Sequence, residues 1–387
     1  MQDFWNQKES ELIKLRRYLH RNPELSGREQ STAALMRDKL EKTNPDKVLT
    51  DLGGSGVMAV YDSGHEGPTV LLRAELDALP IEDSREMDIE HRSNRKGVGH
   101  KCGHDGHMAI LIGVADYIGT YGLKKGRLLL LFQPAEETGE GADWVLNDKQ
   151  FQKYEPDAVY ALHNLPGYEK GQIVVRDGPF AAASTGVEIT LRGETAHAAH
   201  PEDGRSPALA VAALINFISS LPQGHISRQA ASKATVIHTK IGERAFGTTP
   251  GYAKVMATLR AYQNETLDKL TGALEGYVRQ LGEAHSLEVE LGYEEPFKAT
   301  VNESSANERI RHAAGELSLP VTEPGHAFAW SEDFGRFTDR FSGALFGIGS
   351  GVEQPQLHSG MFDFPDEILN TGSRMFMGIL KDYGLVE

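Results

Sequence analysis

The chain has 387 residues, of which 40% are hydrophobic and 25% are charged, a composition typical of folded globular proteins and not of disordered or collagen-like ones. Its length is sufficient for two domains. The net charge of −15 argues against general electrostatic binding to nucleic acid or to an anionic membrane, so we expect a small-molecule partner.

The apolar runs of the sequence are short. Purely apolar stretches such as residues 128–132 are far shorter than the roughly 20 residues that a membrane span needs. We therefore expect a cytoplasmic protein without a membrane partner. The single cysteine, Cys102, excludes an internal disulfide framework.

The first part of the chain opens with helices and then alternates between strands and helices. Ser26 and Glu29 have the spacing of a helix capping box, which predicts that a helix starts at Ser26. The predicted elements are helices over 12–19, 26–40 and 108–121, and strands over 57–61, 68–75, 127–132, 157–163 and 171–175. This alternation favours an α/β fold with a mostly parallel sheet that is covered on both faces.

A different pattern begins near Ser184, where strands alternate between apolar and polar residues. The predicted order is a strand over 187–191, a helix over 207–221, strands over 234–241 and 253–261, a helix over 265–284 and a strand over 287–291. This βαββαβ order predicts a four-stranded antiparallel sheet with two helices on one face. The α/β pattern resumes after Pro296, with helices over 306–317 and 366–383 and a strand over 343–347. We therefore expect a larger α/β domain, residues 1–183 and 293–387, that carries an inserted α+β domain, residues 184–292.

Side chains with metal-binding chemistry follow several of the predicted strands. Loops that leave the carboxyl ends of strands in an α/β sheet converge on one crevice. The residues there are Glu75 and Asp77 after one strand, Cys102, His104 and His107 before a helix, Glu136 and Glu137 after another strand, and His163 at the end of a fourth. Thiolate, imidazole and carboxylate suit Zn and its first-row neighbours. The sequence therefore predicts a metal site in which one of the adjacent acids accepts a proton from water, which is hydrolytic chemistry.

Each of these residues also has a structural interpretation. A lone cysteine is usually a small buried hydrophobe, a pair of glutamates is usually solvated, and a histidine at a strand end usually makes a structural hydrogen bond. Their joint occurrence at successive strand ends favours the functional interpretation. We expect His107 to lie beside the metal ligands and not to be a ligand itself. Histidines that have no other candidate ligands near them in the sequence, such as His225, are assigned to surface or structural positions.

At these positions the sequence resembles the aminoacylase/carboxypeptidase superfamily of di-metal peptidases, in particular its amidohydrolase branch of hippurate, auxin-conjugate and N-acetyl-diaminopimelate hydrolases. The resemblance runs nearly from end to end and is most specific at 102–107 and 134–137. The segments that carry it are RRYLHRNPE at 16–24, DALPI at 77–81, CGHDGH at 102–107, PAEE at 134–137, HAAHP at 197–201, SEDF at 331–334 and LHS at 357–359.

The resemblance implies two divalent ions in each subunit, with Zn or Mn expected and Ni or Co as alternatives. It implies that Glu136 is the general base, which activates a metal-bridging water and passes the proton to the leaving amine. Asp77 would orient a ligand histidine. The implied ligands are Cys102, as the bridge between the ions, and His104, Glu137, His163 and His358.

The inserted domain resembles the lid of this family. His197 matches the histidine that reaches the substrate or the oxyanion when the lid closes, and a structural turn histidine is the alternative. Three positions depart from the family pattern: Glu75 stands where Asp is more frequent, Gly247 stands where an Asn precedes the Pro, and the segment 204–207 differs from the usual apolar-Asp-Pro. Arg205 in that segment is a candidate to bind a substrate carboxylate.

Together these features predict a metal-dependent amidohydrolase that cleaves N-acyl or aroyl amino acids or related small conjugates. A dipeptidase or carboxypeptidase acting on short peptides is the alternative among metal enzymes. Two further classes stay open: a metal-free binding module on the same fold, and a cysteine hydrolase in which Cys102 is the nucleophile with His104 or His107 as base. The edge strands and helices of the inserted domain leave room for a homodimer.

Overall fold

The structure, a computed structural model, describes residues 2–224 and 232–387, and His225 lies outside these ranges. In them the chain forms nine α-helices and fourteen β-strands. The helices are α1 (Gln2–Arg21), α2 (Gln30–Glu41), α3 (His104–Tyr121), α4 (Gly141–Asn147), α5 (Ala208–Gly224), α6 (Asn264–His285), α7 (Ser304–Glu316), α8 (Gly335–Arg340) and α9 (Leu369–Asp382). The strands are β1 (Lys47–Leu52), β2 (Gly56–Asp62), β3 (Thr69–Glu75), β4 (Arg127–Gln133), β5 (Ala158–Pro166), β6 (Ile173–Val174), β7 (Gly178–Ala181), β8 (Ala183–Arg192), β9 (Ser232–Ile241), β10 (Tyr252–Ala261), β11 (Glu288–Phe297), β12 (Thr300–Asn302), β13 (Val321–Thr322) and β14 (Gly343–Gly351). Within the described ranges no helix is both long and apolar enough to cross a membrane.

Eight strands form the larger sheet, in the order β1-β2-β4-β3-β5-β14-β6-β13. The four central strands, β4, β3, β5 and β14, run parallel to one another. β2 is antiparallel to β4, and β6 is antiparallel to β14. The predicted α/β fold with a mostly parallel sheet is confirmed, and antiparallel strands extend the sheet on both sides. The central strands are buried along almost their whole length, which explains why each is a nearly continuous apolar run.

Helix α3 forms the centre of the helical layer that contains α1 and α9. It is apolar around most of its circumference, so nearly all of its residues are buried. Two aromatic residues of α1 pack against it: the Trp5 ring stacks on Tyr117 with centroids 5.8 Å apart, and Phe4 meets the same ring edge-on at 5.2 Å. Burying side chains of this size contributes roughly 1.5–3 kcal/mol each. This packing fixes the helix whose first residue is His104.

The predicted capping box at the start of α2 is wrong. The helix begins at Gln30, and the residue before it, Glu29, makes no side-chain bond that caps the helix. Ser26 Oγ instead donates a hydrogen bond to Asp77 Oδ2 at 2.7 Å. Glu29 Oε1 accepts one from the Ala135 amide at 2.9 Å. Both side chains therefore bind loops that follow strands of the sheet, and the Thr32 amide in the first turn of α2 donates instead to Glu24 Oε2 at 2.8 Å.

The chain divides into two compact units. The larger comprises Met1–Phe180, Thr300–Ala327 and Asp333–Glu387, and the smaller comprises Ala181–Ala299 and Phe328–Glu332. The predicted boundaries, 184 and 292, lie inside the longer segment of the smaller unit. The short segment 328–332 joins this unit through hydrogen bonds to its carbonyls: the Ala182 amide donates to the Trp330 carbonyl at 3.0 Å, and the Arg260 guanidinium donates to the Ala329 carbonyl at 3.0 Å.

The smaller unit contains a four-stranded antiparallel sheet in the order β11-β8-β10-β9, with α5 and α6 packed on it. The chain order β8-α5-β9-β10-α6-β11 is the predicted βαββαβ order. Along β10 every second side chain is buried, as the period of a half-buried strand requires. The helices meet where the Phe217 and Tyr277 rings stack, with centroids 3.8 Å apart. The unit has its own apolar core.

Candidate metal centre

The predicted ligands of the larger unit come from the carboxyl ends of neighbouring parallel strands. Because β4, β3 and β5 are adjacent, the loops after β3 and β4 and the end of β5 meet at one edge of the sheet. The loop before α3 reaches the same place. Polar contacts and short distances between potential ligand atoms connect the residues of this cluster, which are Asp77, Cys102, His104, Glu136, Glu137, His163 and His358.

The turn that joins Cys102 to His104 depends on Gly103. Gly103 has a φ of 104°, and a Cβ atom on it would lie 2.2 Å from Asn164 Oδ1. Only glycine allows this close approach without strain. The turn leaves Cys102 Sγ 3.4 Å from His163 Nε2. Potential ligand atoms of Cys102, His104 and His163 all lie within 4.8 Å of one another.

His104 presents one nitrogen to this centre. Its Nδ1–H donates to the Asp77 carbonyl oxygen at 2.9 Å, so Nε2 is the nitrogen that faces the centre. Nε2 is buried and has no hydrogen-bond partner among the described residues. The nearest carboxylate oxygens are Glu136 Oε2 at 3.8 Å and Glu137 Oε1 at 3.9 Å. A buried nitrogen without a hydrogen-bond partner is costly, and a cation between these atoms, in place of a proton on Nε2, would interact favourably with all three.

The electrostatics of the centre favour positive charge. Burial lowers the pKa of His104, but the carboxylates of Glu75, Asp77 and Glu137 outweigh burial and raise it to about 10. His163 is different: burial, together with the neighbouring His107, lowers its pKa to about 3. His163 is therefore a neutral imidazole, and its Nδ1–H donates to the Asn164 carbonyl at 2.9 Å. Neutral imidazole is the form that binds a metal, so the residues present fit a cationic metal.

Glu137 and His358 complete the cluster. Glu137 Oε2 lies 3.5 Å from His358 Nε2, and potential ligand atoms of these two residues and Cys102 lie within 4.8 Å of one another. His358 comes from a distant loop and has a φ of 62°. Its amide donates to the Lys101 carbonyl at 2.8 Å, which ties it to the residue before Cys102.

Asp77 and His107 lie beside the predicted ligands. Asp77 Oδ2 accepts hydrogen bonds from Ser26 Oγ at 2.7 Å and from the Glu137 amide at 3.0 Å. Burial raises the pKa of Asp77, but the bond with His104 and these donors hold it below its ordinary value. His107 has Nδ1 2.7 Å from Glu75 Oε2 and Nε2 2.7 Å from the side-chain oxygen of Asn164. Both nitrogens of His107 are thus engaged.

Sequence reasoning assigned no role to Arg73, although a charged residue inside an apolar strand is a signal. Arg73 is buried in β3. Its Nε donates to Gln133 Oε1 at 2.9 Å, and its other nitrogens pair with Glu75 and, at 2.5 Å, with Asp333 Oδ1. Burial raises the pKa of Glu75, but Arg73 and His107 outweigh burial and hold that pKa well below its ordinary value. The network keeps Glu75 charged, and Glu75 in turn holds His107.

The two predicted substrate contacts, His197 and Arg205, lie in the smaller unit. Both are exposed at the end of its sheet. The Ala199 amide donates to His197 Nδ1 at 3.1 Å. Arg205 pairs with Glu194 Oε1 at 2.5 Å. Gly247, which departs from the family pattern, accepts a hydrogen bond from the Ala198 amide through its carbonyl at 3.0 Å.

Comparison with known proteins identifies the family. Residues 71–382 match the sequence model of the peptidase family M20/M25/M40. The chain belongs to this family. This M20/M25/M40 family member is therefore a hydrolase of a metallopeptidase family, and the prediction of a metal-binding hydrolase is confirmed.

Several relatives of this M20/M25/M40 hydrolase match it over most of their length. It is 32% identical over 351 residues to the N-acetyl-L-cysteine deacetylase of Bacillus subtilis (strain 168), covering 90% of this chain and 83% of that protein. It is 28% identical over 377 residues to the hippurate hydrolase of Campylobacter jejuni, covering 97% of each. The YXEP protein of Bacillus subtilis, described as a dinuclear metal binding peptidase from the M20 family, has the same fold, with a TM-score of 0.81, 24% identity and 97% of both chains covered.

Proposed function

We propose that this M20/M25/M40 hydrolase cleaves the amide bond of N-acyl or aroyl amino acids or of related small conjugates, with two divalent ions and Glu136 as general base. The observation that carries the proposal is the set of overlapping ligand groups around Cys102, with Glu136 and Glu137 beside them. The names of two relatives, N-acetyl-L-cysteine deacetylase and hippurate hydrolase, support an acylated amino acid as substrate.

Two ions that share Cys102 would use every predicted ligand. One group is Cys102, His104 and His163, and the other is Cys102, Glu137 and His358. The description of the YXEP protein as dinuclear supports this number. The mixture of thiolate, imidazole and carboxylate suits Zn or Mn, with Ni or Co as alternatives. Bound at this centre, such ions would polarise the amide carbonyl and make water easier to deprotonate.

Glu136 is the residue that we assign to proton transfer. Its carboxylate is buried, 4% exposed, and lies 3.8 Å from His104 Nε2. In the proposed reaction Glu136 accepts a proton from the water whose oxygen attacks the carbonyl carbon. As the carbon–nitrogen bond breaks, Glu136 delivers that proton to the departing nitrogen, so the products are a carboxylic acid and an amine. Glu137, one residue later, has the separate task of holding an ion.

The test compares two neighbouring substitutions that are equal in size. Glu136→Gln should lower kcat by about 10²–10⁴-fold, because general acid–base catalysis contributes that much, and should leave bound metal nearly unchanged. Glu137→Gln should lose metal. Metal content by elemental analysis and initial rates at saturating metal provide the two measurements. If Glu136→Gln keeps more than a small fraction of the wild-type rate, Glu136 is not the base.

The substrate class is tested with a panel of acetyl, benzoyl, indoleacetyl and aminobenzoyl amino acids together with simple dipeptides. Each is assayed with the chelated protein and after adding back Zn or Mn. We expect the acylated amino acids to be cleaved, chelation to abolish the activity and metal to restore it. Faster cleavage of dipeptides would instead assign a peptidase, and activity that chelators do not affect would favour Cys102 as nucleophile.

We also propose that the smaller unit acts as a lid and as a dimer contact. His197 would donate to the oxyanion and Arg205 would bind a substrate carboxylate, which suits exposed polar side chains on a closing element.

Strand β9 of the smaller unit, the proposed dimer contact, lies at one edge of the sheet, and its Ile237 and Ile241 side chains are 59% and 40% exposed. Edge strands pair readily with a second copy. Light scattering after chromatography should show a dimer that Ile237→Lys dissociates; an unchanged mass for this variant would count against β9 as the contact.

A further inference from the structure

Glu29 is a fully buried carboxylate to which the proposed reaction gives no task. Its Oε1 accepts hydrogen bonds from the Gly27 amide at 2.7 Å and from the Ala135 amide at 2.9 Å. Its Oε2 accepts one from Ser55 Oγ at 2.8 Å. A buried carboxylate is tolerated only when donors compensate for the lost water. Glu29 therefore connects its own segment to the loop before β2 and to the turn after β4.

The turn after β4 has a strained backbone. Ala135 has a φ of 50°, in the left-handed region that residues with a Cβ atom avoid. Glu136 and Glu137 follow directly, so the backbone of Ala135 sets the direction in which both carboxylates leave the strand. Such strain persists only where surrounding contacts determine the conformation.

Among the hydrogen bonds that hold this turn, three involve Ala135 or Glu137 and are donated by backbone amides. The Gly141 amide donates to the Ala135 carbonyl at 3.0 Å, and the Glu137 amide donates to Asp77 Oδ2 at 3.0 Å. The third is the bond from the Ala135 amide to Glu29. A hydrogen bond to an ionised acceptor is about twice as strong as one between neutral groups. The Glu29 bond acts on the strained residue itself, before the chain reaches Glu136.

We propose that Glu29 is a positioning residue for hydrolysis, which keeps Ala135 in its strained conformation and so aims Glu136 and Glu137 at the metal centre. The inference rests on the proposed function for the roles of these two glutamates. It does not require that Glu29 touch substrate or metal. A purely structural Glu29 would affect only the fraction of folded protein.

Two substitutions separate the positioning role from a structural one. Glu29→Gln keeps an oxygen for the amides of Gly27 and Ala135, and its amino group can donate to Ser55 Oγ. Glu29→Ala removes all three contacts. Adding Ala135→Gly to Glu29→Ala allows the same backbone conformation without Glu29, because glycine adopts a positive φ at no steric cost.

Glu24 provides the matched control. It is a second buried carboxylate of the same segment, and its Oε2 accepts hydrogen bonds from the Thr32 amide at 2.8 Å and from Thr32 Oγ1 at 3.0 Å. Glu24→Ala removes comparable bonds at the start of α2 instead of at the turn. It should lower thermal stability without changing kcat or metal affinity per folded molecule.

The experiment measures kcat and metal affinity, the latter by competition with a chromophoric chelator, both normalised to folded protein by circular dichroism. Glu29→Ala should weaken metal binding by about 10–100-fold, because losing the contacts that orient metal ligands has an effect of this size. It should also lower kcat by about 100-fold, because a catalytic group that is misplaced by about 1 Å costs that much. Glu29→Gln should stay within about threefold of wild type. Adding Ala135→Gly to Glu29→Ala should restore about tenfold of both kcat and metal affinity, because glycine removes the strain of the left-handed conformation, which is of this size.

Three results would overturn the proposal: wild-type kcat and affinity in folded Glu29→Ala, no recovery with Ala135→Gly, or an equal loss in Glu24→Ala. Metal affinity can be measured without a substrate, so these variants test the role of Glu29 even if the wild-type protein cleaves none of the acylated amino acids. In that case the substrate proposal fails by itself. If the wild type does cleave them while the variants behave alike, only the assignment of Glu29 fails.

Discussion

Arg73→Met should destabilise the larger unit severely, and more so at neutral than at acidic pH. Arg73 is 1% exposed, and the carboxylates of its partners Glu75 and Asp333 are fully buried. Removing one partner of a buried ion pair costs about 3–5 kcal/mol, because it leaves a buried charge uncompensated. For a unit of this size, each kcal/mol lowers Tm by roughly 2–4 °C. We therefore expect Tm to fall by about 10 °C at pH 7.5, or somewhat more.

The pH dependence follows from the pKa of Glu75. In the wild type that pKa is held well below its ordinary value, with Arg73 the strongest influence that opposes burial. A depressed carboxyl pKa stabilises the fold above the pKa of the unfolded chain, and this contribution is lost as pH falls through the folded value. Without Arg73, only the neighbouring histidines oppose the effect of burial, so the pKa of Glu75 rises from its wild-type value and protonation at low pH relieves the penalty. The difference in Tm between wild type and Arg73→Met should therefore shrink from pH 7.5 to pH 5.

Scanning calorimetry at the two pH values, with one fixed metal condition, measures this difference. Arg73→Lys keeps the charge but not the planar fork of donors, so it should lose less stability and show less pH dependence. Arg37→Met is the surface control, since Arg37 pairs with the exposed Asp38, and it should leave Tm unchanged. An equal loss for Arg73→Met at both pH values, or a loss no larger than that of Arg37→Met, would refute the reasoning.

Four other predictions concern the candidate metal centre and the smaller unit. Cys102 should react with an alkylating reagent much faster after metal removal than before, because a coordinated thiol is shielded; equal rates would show that it is not a ligand. Asp77→Asn should weaken metal binding by about 10–100-fold in chelator competition, because it removes the charge of a carboxylate whose oxygens lie 3.5 Å from His104 Nδ1 and accept from the Glu137 amide; unchanged affinity would contradict this. His197→Ala should lower kcat by about 10²–10³-fold with unchanged metal content, and full activity would remove it from the mechanism. Arg205→Ala should lower kcat/KM for substrates with a free carboxylate more than for their amides, and equal effects on both would refute that role.

Most residues of the candidate metal centre could be proposed from the sequence, because the periodicity of the strands shows where each strand ends. Apolar runs ending in acids or histidine identified β3, β4 and β5, and parallel strands place such ends at one edge. Cys102, His104, Glu137 and His163 followed from this reasoning as candidates. His358 did not, since it lies almost two hundred residues after His163 in an irregular loop with a positive φ, and only the family resemblance pointed to it.

Other features could not be predicted because their signals are tertiary. The spacing of Ser26 and Glu29 is the same in a capping box as in a segment that binds two loops, so only the positions of Asp77 and Ala135 decide between them. The segment 328–332 joins the smaller unit through isolated backbone bonds such as that between Ala182 and Trp330. Isolated hydrogen bonds produce no periodic pattern of apolar residues from which they could be predicted.

The pairing of β14 with β5 constrains the order in which the chain can fold during synthesis. In the large sheet β14 covers an edge of β5, yet it is made only after the whole longer segment of the smaller unit. The four strands of that unit's sheet are complete once Phe297 has left the ribosome. We therefore expect this sheet to form before β14 is available to pair with β5. Chains that terminate between these points would expose β5 as an open, apolar strand edge, the kind of surface that pairs with other chains. Prematurely terminated products of this length should therefore aggregate or depend on chaperones, whereas the full-length chain closes that edge itself.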